Sequence, residues 1–552
     1  MPATNTTPKT ADELKADLLG AFGETAGDLK EGDALKLLIS EVKPPAQPSG
    51  GTDGALALAD DSGATAPLKF DDRNVNINDG ARFMNDLAAL LVNCTDELTL
   101  SRGDDAGPLH VFASYSNVVE AIALAAQKVD EKLGKHLDDV FHDDDFQATE
   151  AVWRGLHHLA SGVESEDVII DFLDGSKAEI GADVIDHDTD IFGGSLFNKV
   201  YIQEYDRYGG KPFATMIGLY EFDSSEEDVD WLRAMGRVAN ASHCPFVASV
   251  APTFFAPCKT MQEVAEIGDL DAVLTHPLFG KYNELRDTDY AAYLGLVLPR
   301  YLLRRPFGHS SKLEPGNVVG YNETVLPGRT DDASNFLWGN AAILFAKNMV
   351  RSFEGSGWAQ HIRGPRGGGI VEGLTVYTYE KNGYEQQQPP VEIAIPDYRE
   401  LQFASNGFIP LVHKKNEAVA TFFSAQSLKK PRSFVEDLNT KNAHLVTNLA
   451  YSFSITRIAH FVKRMMREYI GSTADGPYIQ QVLANWLGGY VTTVVNPDDL
   501  TLRFYPFKAV SVTVEDKPGA FGWYKSIISV LPHAQFEGMD VELRLEAALG
   551  GP

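Results

Sequence analysis

The chain has 552 residues, which is too long for one hydrophobic core and indicates two or three domains. Its 48 Lys and Arg residues stand against 77 Asp and Glu residues, and the net charge of −29 excludes nucleic acid and anionic lipid as partners unless a basic patch is hidden locally. Three cysteines, no signal-peptide pattern and no apolar run of about 18 residues together predict a soluble protein of the cytoplasm.

The first 75 residues are predicted to form an extension ahead of the folded domains. Short amphipathic helices are predicted at 11–22 and 33–42, and residues 40–67 are rich in Pro, Gly, Ala, Ser and Asp without sustained periodicity. This composition is typical of a flexible linker. We therefore expect this arm to dock on another surface.

From residue 79 onward, predicted helices alternate with predicted strands. The helices are expected at 79–93, 116–141, 146–161, 198–208 and 225–242, with Asp145 as the N-cap of the third. Strands are expected at 167–174, 213–221 and 245–251, and the first of these should be buried. Alternation at this spacing indicates a mixed α/β sheet region.

Residues 335–373 combine an amphipathic helix with a loop of glycines that also carries two arginines. Such a loop beside a helix suits a phosphate-binding enzyme, or a crowded joint between two domains where glycine permits positive φ. The loop lacks the Gly-Lys-Ser/Thr of a P-loop, and a proline follows its first glycine, so the joint is favoured. The candidate junction residues are Arg363, Gly364, Arg366, Gly367, Gly368 and Gly369.

Strands dominate the remainder of the chain. They are predicted at 375–379, 391–395, 407–413, 418–424, 502–515, 523–532 and 539–547, with helices at 442–470 and 478–491. An exposed edge of the C-terminal sheet could accept a strand from another chain. The candidate strand-exchange residues are Val510, Val512, Val514, Ile527, Ile528, Val541, Leu543 and Leu545.

Residues 451–470 form a basic helix within an acidic chain. Arg457, Lys463, Arg464 and Arg467 are opposed only by Glu468. These cations could form an ordinary solvated face, or an electrostatic docking surface for an acidic partner. No hydrolase or metalloprotease motif accompanies them, so no catalytic residue, cofactor or metal is predicted.

A family resemblance runs in order from about residue 76 to the C-terminus. The runs that carry it are DDFQATEAVWRGLHHL, QEYDRYGGKPFATMIGLYEFD, ASHCPFVASVAPTFF, YLGLVLPRYLLRRPFG, FLWGNAAILFA, HIRGPRGGGIVEGL, GFIPLVHKKNEAVATFFSAQSLKKP and RIAHFVKRMMREYIGS. They closely resemble the large subunit of the type VI secretion contractile sheath. The residues before this stretch do not match the family and look like an added extension.

The resemblance implies a structural subunit rather than an enzyme, with a multidomain sheath fold of mixed α/β (α+β) class. It implies an inter-protomer arm at 1–75 and a middle domain at 76–372 built together with a small subunit. Residues 373–552 would form a C-terminal domain near the inner tube, its sheet completed by strands from neighbouring protomers. The basic helix at 451–470 then becomes a candidate contact with that tube.

The resemblance also implies partners. The chain would pair with the small sheath subunit and polymerise with copies of itself into a six-start helix around a hexameric inner-tube protein. Two further partners are implied, a baseplate and a hexameric AAA+ unfoldase that acts mainly on the small subunit. The assembly would lie in the bacterial cytoplasm, and the chain would neither bind nucleic acid nor insert into a membrane. Contraction would propel the tube and its effectors into a target cell. A sheath of another phage-tail-like particle is the alternative, and a nucleotide-binding α/β enzyme is a more remote one.

Overall fold

The computed structural model describes residues 115–308, 321–329, 334–432, 443–444, 446–492, 494, 497–516 and 523–533. These fall into two compact units, 115–139 with 321–323 and 140–308 with 324–533. The predicted N-terminal arm, the helix at 79–93 and the last predicted strand, with Val541, Leu543 and Leu545, lie outside the described residues.

Helices and strands are interleaved along the chain, which confirms the mixed α/β class. The helices are α1 (Tyr115–Phe141), α2 (Asp144–Ala160), α3 (Lys177–Asp186), α4 (Glu226–Ser242), α5 (Met261–Glu266), α6 (Leu270–Leu274), α7 (Gly280–Arg286), α8 (Ala342–Ser356), α9 (Asp397–Ser405), α10 (Leu449–Glu468), α11 (Gly476–Gly488) and α12 (Asp499–Phe504). Between α3 and α4, the turn Ser195–Phe197 continues as a π-helix, Asn198–Tyr205.

The strands form one large sheet and three two-stranded pairs. They are β1 (Met216–Phe222), β2 (Phe246–Val250), β3 (Leu294–Leu298), β4 (Tyr301–Leu302), β5 (Trp338–Gly339), β6 (Ile370–Glu372), β7 (Tyr377–Lys381), β8 (Tyr384–Gln388), β9 (Phe408–His413), β10 (Val419–Phe422), β11 (Phe507–Asp516) and β12 (Tyr524–Pro532). The large sheet has the order β1-β2-β3-β9-β10-β6, and the pairs are β4–β5, β7–β8 and β11–β12.

The large sheet is covered on both faces. Phe246, Ala248 and Val250 of β2 point into a core cluster with α4, while Val247 points into a second cluster with α8 and α10. Strands β1, β2, β3 and β9 are parallel, and β10 and β6 add antiparallel pairings. Burial on both faces explains why β2 and β3 are apolar except for Ser249, whose hydroxyl donates to the Val297 carbonyl.

The large sheet takes strands from both sides of the boundary predicted at 372/373. Strand β6 ends at Glu372, and its neighbour β10 comes from further along the chain, as does β9 beyond it. These strands share one hydrophobic cluster through Val371, Ala420 and Leu411. A division at 372/373 therefore does not separate two sheets.

Helix starts follow capping chemistry. Ser225 accepts a hydrogen bond from the Asp228 amide at the start of α4, as an N-cap should. For α2 the predicted N-cap, Asp145, is wrong. Asp143 has the extended backbone and accepts from the Phe146 amide at 3.1 Å, so Asp145 lies inside the first turn.

Three predicted strands are wrong in whole or in part. Residues 167–174 form neither strand nor helix and are largely exposed. Residues 391–395 are buried except for Ala394, but they form only an isolated bridge, between Val391 and Tyr301. Residues 502–504 belong to α12, which Asp498 caps, and the strand begins at Phe507.

Candidate assembly surfaces

The basic helix α10 uses two of its four predicted cations within the chain. Lys463 Nζ lies 2.7 Å from an Asp206 carboxylate oxygen, and Arg467 lies 3.0 Å from the same oxygen. Arg467 also donates to the backbone carbonyls of Tyr205 and Arg207. Both cations therefore fasten α10 to the end of the π-helix, through a residue that sequence analysis did not single out.

Aromatic rings and a buried histidine surround this ion-pair cluster of Asp206, Lys463 and Arg467. Lys463 Nζ sits 3.9 Å from the centre of the Tyr205 ring, and burial raises the pKa of that phenol to about 12. His460, one turn earlier on α10, contacts the carbonyl oxygen of Ser242, and burial lowers its pKa to about 4. Hydrogen bonding from Lys463 lowers the pKa of Asp206, so the ion pairs are charged at neutral pH.

The other two cations of α10 lie on a different face. Arg457 packs between the rings of Phe353 and Trp358, with its guanidinium carbon 4.9 Å from each ring centre. Arg464 is exposed and makes no ion pair among the described residues. The helix therefore offers solvent one available cation of the four predicted, because packing and pairing occupy the others.

The glycine loop joins α8 to the edge strand β6. Gly364 donates to the carbonyl of Phe422 on β10, Phe422 donates to the carbonyl of Gly369, and Gly369 donates to that of Gly364. From α8, Asn348 and Arg351 bind the carbonyls of Gly369 and Gly368 at 3.1 and 2.7 Å. The loop is thus fastened to a helix and a strand of the large sheet.

This bonding argues against a phosphate site. The amides of Gly364 and Gly369 already donate to carbonyl oxygens, and the loop leads into a strand rather than a helix N-terminus. Of the two arginines, Arg363 is buried, with 6% of its surface exposed, and Arg366 is exposed. Gly367 is held so closely that an added Cβ would meet the Arg363 carbonyl.

The segment just before the loop reaches another part of the molecule. Trp358 packs edge-on against Tyr490 and Phe507, within the cluster formed by α10, α11, β11 and β12. Ile362, four residues on, packs in the cluster of the large sheet. The chain between α8 and the loop therefore joins two hydrophobic clusters.

Five of the eight candidate strand-exchange residues lie on the β11–β12 pair. Val510, Val512 and Val514 of β11 and Ile528 of β12 face α11 in one cluster, whereas Ile527 is exposed on the opposite face. The pairing is antiparallel, with Val512 opposite Ile528 and Thr513 opposite Ile527. This alternation is that of a sheet with one buried face.

A groove of about 380 Å³ follows the edge of β11 that faces away from β12. It is lined by Ala484, Gly488, Val491, Ala509, Val510 and Val512. Ala509 and Val510 point to opposite faces of the strand, so a groove that touches both must include the strand edge. Among the described residues, two groups outside β12 bind the β11 backbone: Val491 bridges Phe507, and Gln480 Oε1 on α11 accepts from the Val514 amide at 3.2 Å. A short apolar residue on α11, Ala484, keeps the groove open, which no sequence motif signals.

Among the described helices, none is both long enough and apolar enough to span a bilayer.

Comparison with known proteins matches two family models, in consecutive segments. The N-terminal domain model of the EvpB/VC_A0108 tail sheath family matches residues 124–429, and the gpW/gp25-like domain model of that family matches 438–549.

A curated relative agrees with these matches. Type VI secretion system sheath protein TssC1 of Pseudomonas aeruginosa (strain PAO1) is 35% identical over 440 residues, which cover 79% of this chain and 87% of the relative.

Two solved structures are distant likenesses. A chain of the anti-feeding prophage baseplate has a TM-score of 0.35 at 9% identity, covering 69% of this chain and 84% of its own. A chain of the contracted anti-feeding prophage sheath has a TM-score of 0.29 at 10% identity, covering 57% and 67%. Likenesses this weak carry no argument.

The two family models account for most of the chain, and the relative covers nearly four fifths of it. The resemblance found in the sequence is thereby confirmed, and the family is one of structural sheath proteins. The chain belongs to the EvpB/VC_A0108 tail sheath family, that of the type VI secretion sheath large subunit.

Proposed function

We propose that this chain pairs with a small sheath subunit and polymerises into a helical sheath around a hexameric inner tube in the bacterial cytoplasm. Contraction of that sheath would drive the tube and its effectors into a target cell. A baseplate would anchor the polymer, and an AAA+ unfoldase would dismantle it mainly through the small subunit. Support comes from the family membership and from the sheath relative TssC1.

The open edge of β11 is the observation that carries this proposal. A strand edge beside an apolar groove offers backbone groups and side-chain pockets to an extended segment of a neighbouring protomer. Strand exchange of this kind links protomers while leaving their folded bodies free to rotate. The N-terminal arm, residues 1–75, is the proposed donor.

Two further assignments follow from the same proposal. The tube-proximal domain would begin after β10, in residues 430–437 between the two matched segments, and the connector around Trp358 and the glycine loop would act as the joint. The contact with the inner tube would use Arg464 on α10, because Lys463 and Arg467 are paired with Asp206.

Negative-stain electron microscopy of the chain co-expressed with its small subunit tests the proposal. We expect hollow tubules under assembly conditions, and co-purification of the two chains in equal amounts. Small discrete particles under the same conditions would contradict the sheath function. Calorimetry with ATP, GTP and NAD is the matching control for an enzyme, and binding at micromolar concentration would revive that alternative.

A further inference from the structure

Residues 164–174, ESEDVIIDFLD, have the sequence of a strand but lack a strand's partners. The segment contains a β-branched and aromatic run, yet it forms neither strand nor helix. Ile169, Phe172 and Leu173 are 60%, 60% and 51% exposed. Apolar side chains that are adjacent and this exposed mark an interaction surface.

The backbone amides of this segment also lack hydrogen-bond partners within the described residues. Among the described residues, the amides of 169–174 have no hydrogen-bond acceptor. Upstream, the amides of Glu164 and Ser165 are both held by the Glu354 carboxylate at 2.8 Å, and downstream the Gly175 carbonyl accepts from the Tyr220 hydroxyl. The segment is thus anchored at both ends, while the amides between the anchors are available to pair.

The anchors place the segment beside an edge of the large sheet. Ile170 packs on the same small cluster as Ile217 and Leu219 of β1, which is the terminal strand of the sheet. Tyr220, which binds Gly175, is also in β1. The 164–174 segment therefore lies close to β1, on which the Tyr220 and Glu221 carbonyls already accept from Asn340 and Lys177.

The charge of the 164–174 segment indicates which kind of partner strand would bind to it. Glu164, Glu166, Asp167, Asp171 and Asp174 give the segment five carboxylates and no basic residue. Within the described parts of the chain, none of these carboxylates forms an ion pair with a basic side chain. A strand that alternates apolar and basic side chains would complement this surface.

We infer that residues 164–174 and the edge of β1 dock a strand with apolar and basic side chains from the small sheath subunit. This inference rests on the proposed function, since that function supplies the second chain. Binding would give the amides of 169–174 their acceptors and cover Ile169, Phe172 and Leu173. It also explains why a segment with strand sequence remains irregular when the chain is alone.

Hydrogen–deuterium exchange on the co-purified wild-type pair tests the inference directly. The amides of 169–174 should exchange at least about 100-fold more slowly than those of the exposed turn at Asn382 and Gly383, because pairing closes them to solvent. Equally fast exchange in a pair that still makes tubules would overturn the inference and leave the sheath function intact. Protection found only in tubules would assign the surface to a neighbouring protomer, which also overturns it.

Substitution provides the second test. Ile169→Asp with Phe172→Asp should lower recovery of the small subunit about tenfold or more, because the new carboxylates would be buried against apolar side chains. Leu401→Asp on α9 is the matched control, since Leu401 is also 60% exposed. Equal recovery with the double variant and the control would refute the docking surface. Absence of both pairing and tubules in wild type would instead count against the proposed function.

Discussion

Two glycines of the loop between α8 and β6 lie where a methyl group would overlap backbone. A Cβ on Gly368, whose φ is +88°, would meet the His361 carbonyl, and one on Gly369 would meet the Phe422 carbonyl. Backbone cannot yield as the end of a flexible side chain can. Sequence analysis identified these positions as a crowded joint from their residue type, although the two carbonyls involved come from the fold.

Gly369→Ala should destabilise the chain by about 2–3 kcal/mol, through overpacking against backbone. Urea unfolding of the purified pair measures the change. Gly355→Ala is the control, because nothing lies within 4 Å of its added Cβ, and α-helical alanine is favoured over glycine by at most about 1 kcal/mol. Equal midpoints for the two variants would show that the loop relaxes at little cost.

His460 gives the fold an acid-sensitive contact. Burial, with smaller contributions from His243 and Lys463, lowers its pKa to about 4, whereas the unfolded side chain titrates near 6.5. Between those values the unfolded chain binds the extra proton, so stability is complete above pH 6.5 and falls as pH drops toward 4. The loss should reach about 2 kcal/mol between pH 7 and 5.

His460→Gln should flatten this pH dependence by that amount, since glutamine retains a donor for the Ser242 carbonyl but does not titrate. Unfolding free energies at pH 7 and pH 5 give the comparison. Part of the acid sensitivity should remain, because burial also lowers the pKa of His361 to about 4. The exposed His157→Gln serves as the control, and a slope unchanged by His460→Gln would exclude His460 as the source.

Arg464→Glu isolates the proposed tube contact. Arg464 has no ion pair among the described residues, so reversal should weaken recovery of the inner tube with the sheath and leave unfolding unchanged. Asp206→Asn is the contrast, since it breaks the ion pairs with Lys463 and Arg467 and should lower the free energy of unfolding by about 1 kcal/mol. Unchanged tube recovery with Arg464→Glu would remove α10 from the interface. Sequence alone could count these cations but could not assign their partners.

At the scale of elements, the groove between α11 and β11 depends on one small side chain. Ala484→Leu should fill the groove from α11, leaving the pair with the small subunit intact but preventing tubules. Electron microscopy and co-purification report the two outcomes separately. Asn485→Leu places the same apolar side chain at the next, exposed position outside the groove, so tubules that form equally in both variants would exclude the groove as the docking site.

Element prediction succeeded where the local pattern and the fold required the same structure. Apolar β2, the helices α4 and α10, and the β11–β12 pair were predicted near their observed positions, whereas the apolar stretch that forms β3 was not predicted as a strand. Residues 167–174 and 391–395 failed for a shared reason, since a strand exists only when another strand supplies its hydrogen bonds. Val391, Ile393 and Ile395 are nonetheless buried, whereas Ile169, Phe172 and Leu173 of the 167–174 segment are exposed.

At the scale of the molecule, the order of elements along the chain did not reveal which would share a sheet. β6 lies beside β10 at one end of the large sheet, so the change from helices to strands near residue 373 falls within that sheet. The two family models instead meet between 429 and 438, after the last strand of that sheet. Pairing between strands that are far apart in the sequence determines where the large sheet ends, and local sequence patterns contain little information about that pairing.

If the N-terminal arm links protomers, its removal should affect polymerisation but not pairing with the small subunit. Deletion of residues 1–75 should preserve the complex with the small subunit, because the large sheet and the 164–174 segment are untouched, but it should abolish tubules. Intact tubules from the deleted chain would refute the arm's role.

A free peptide of residues 1–75 sharpens this prediction. Added to the deleted chain, it should occupy the β11 groove without restoring tubules, because a separate arm no longer links one protomer to the next. Added in excess to the full chain, it should compete with the tethered arms and shorten tubules, as measured by electron microscopy. Ala484→Leu should block binding of this peptide to the deleted chain, and tight binding despite the filled groove would place the arm's docking site elsewhere.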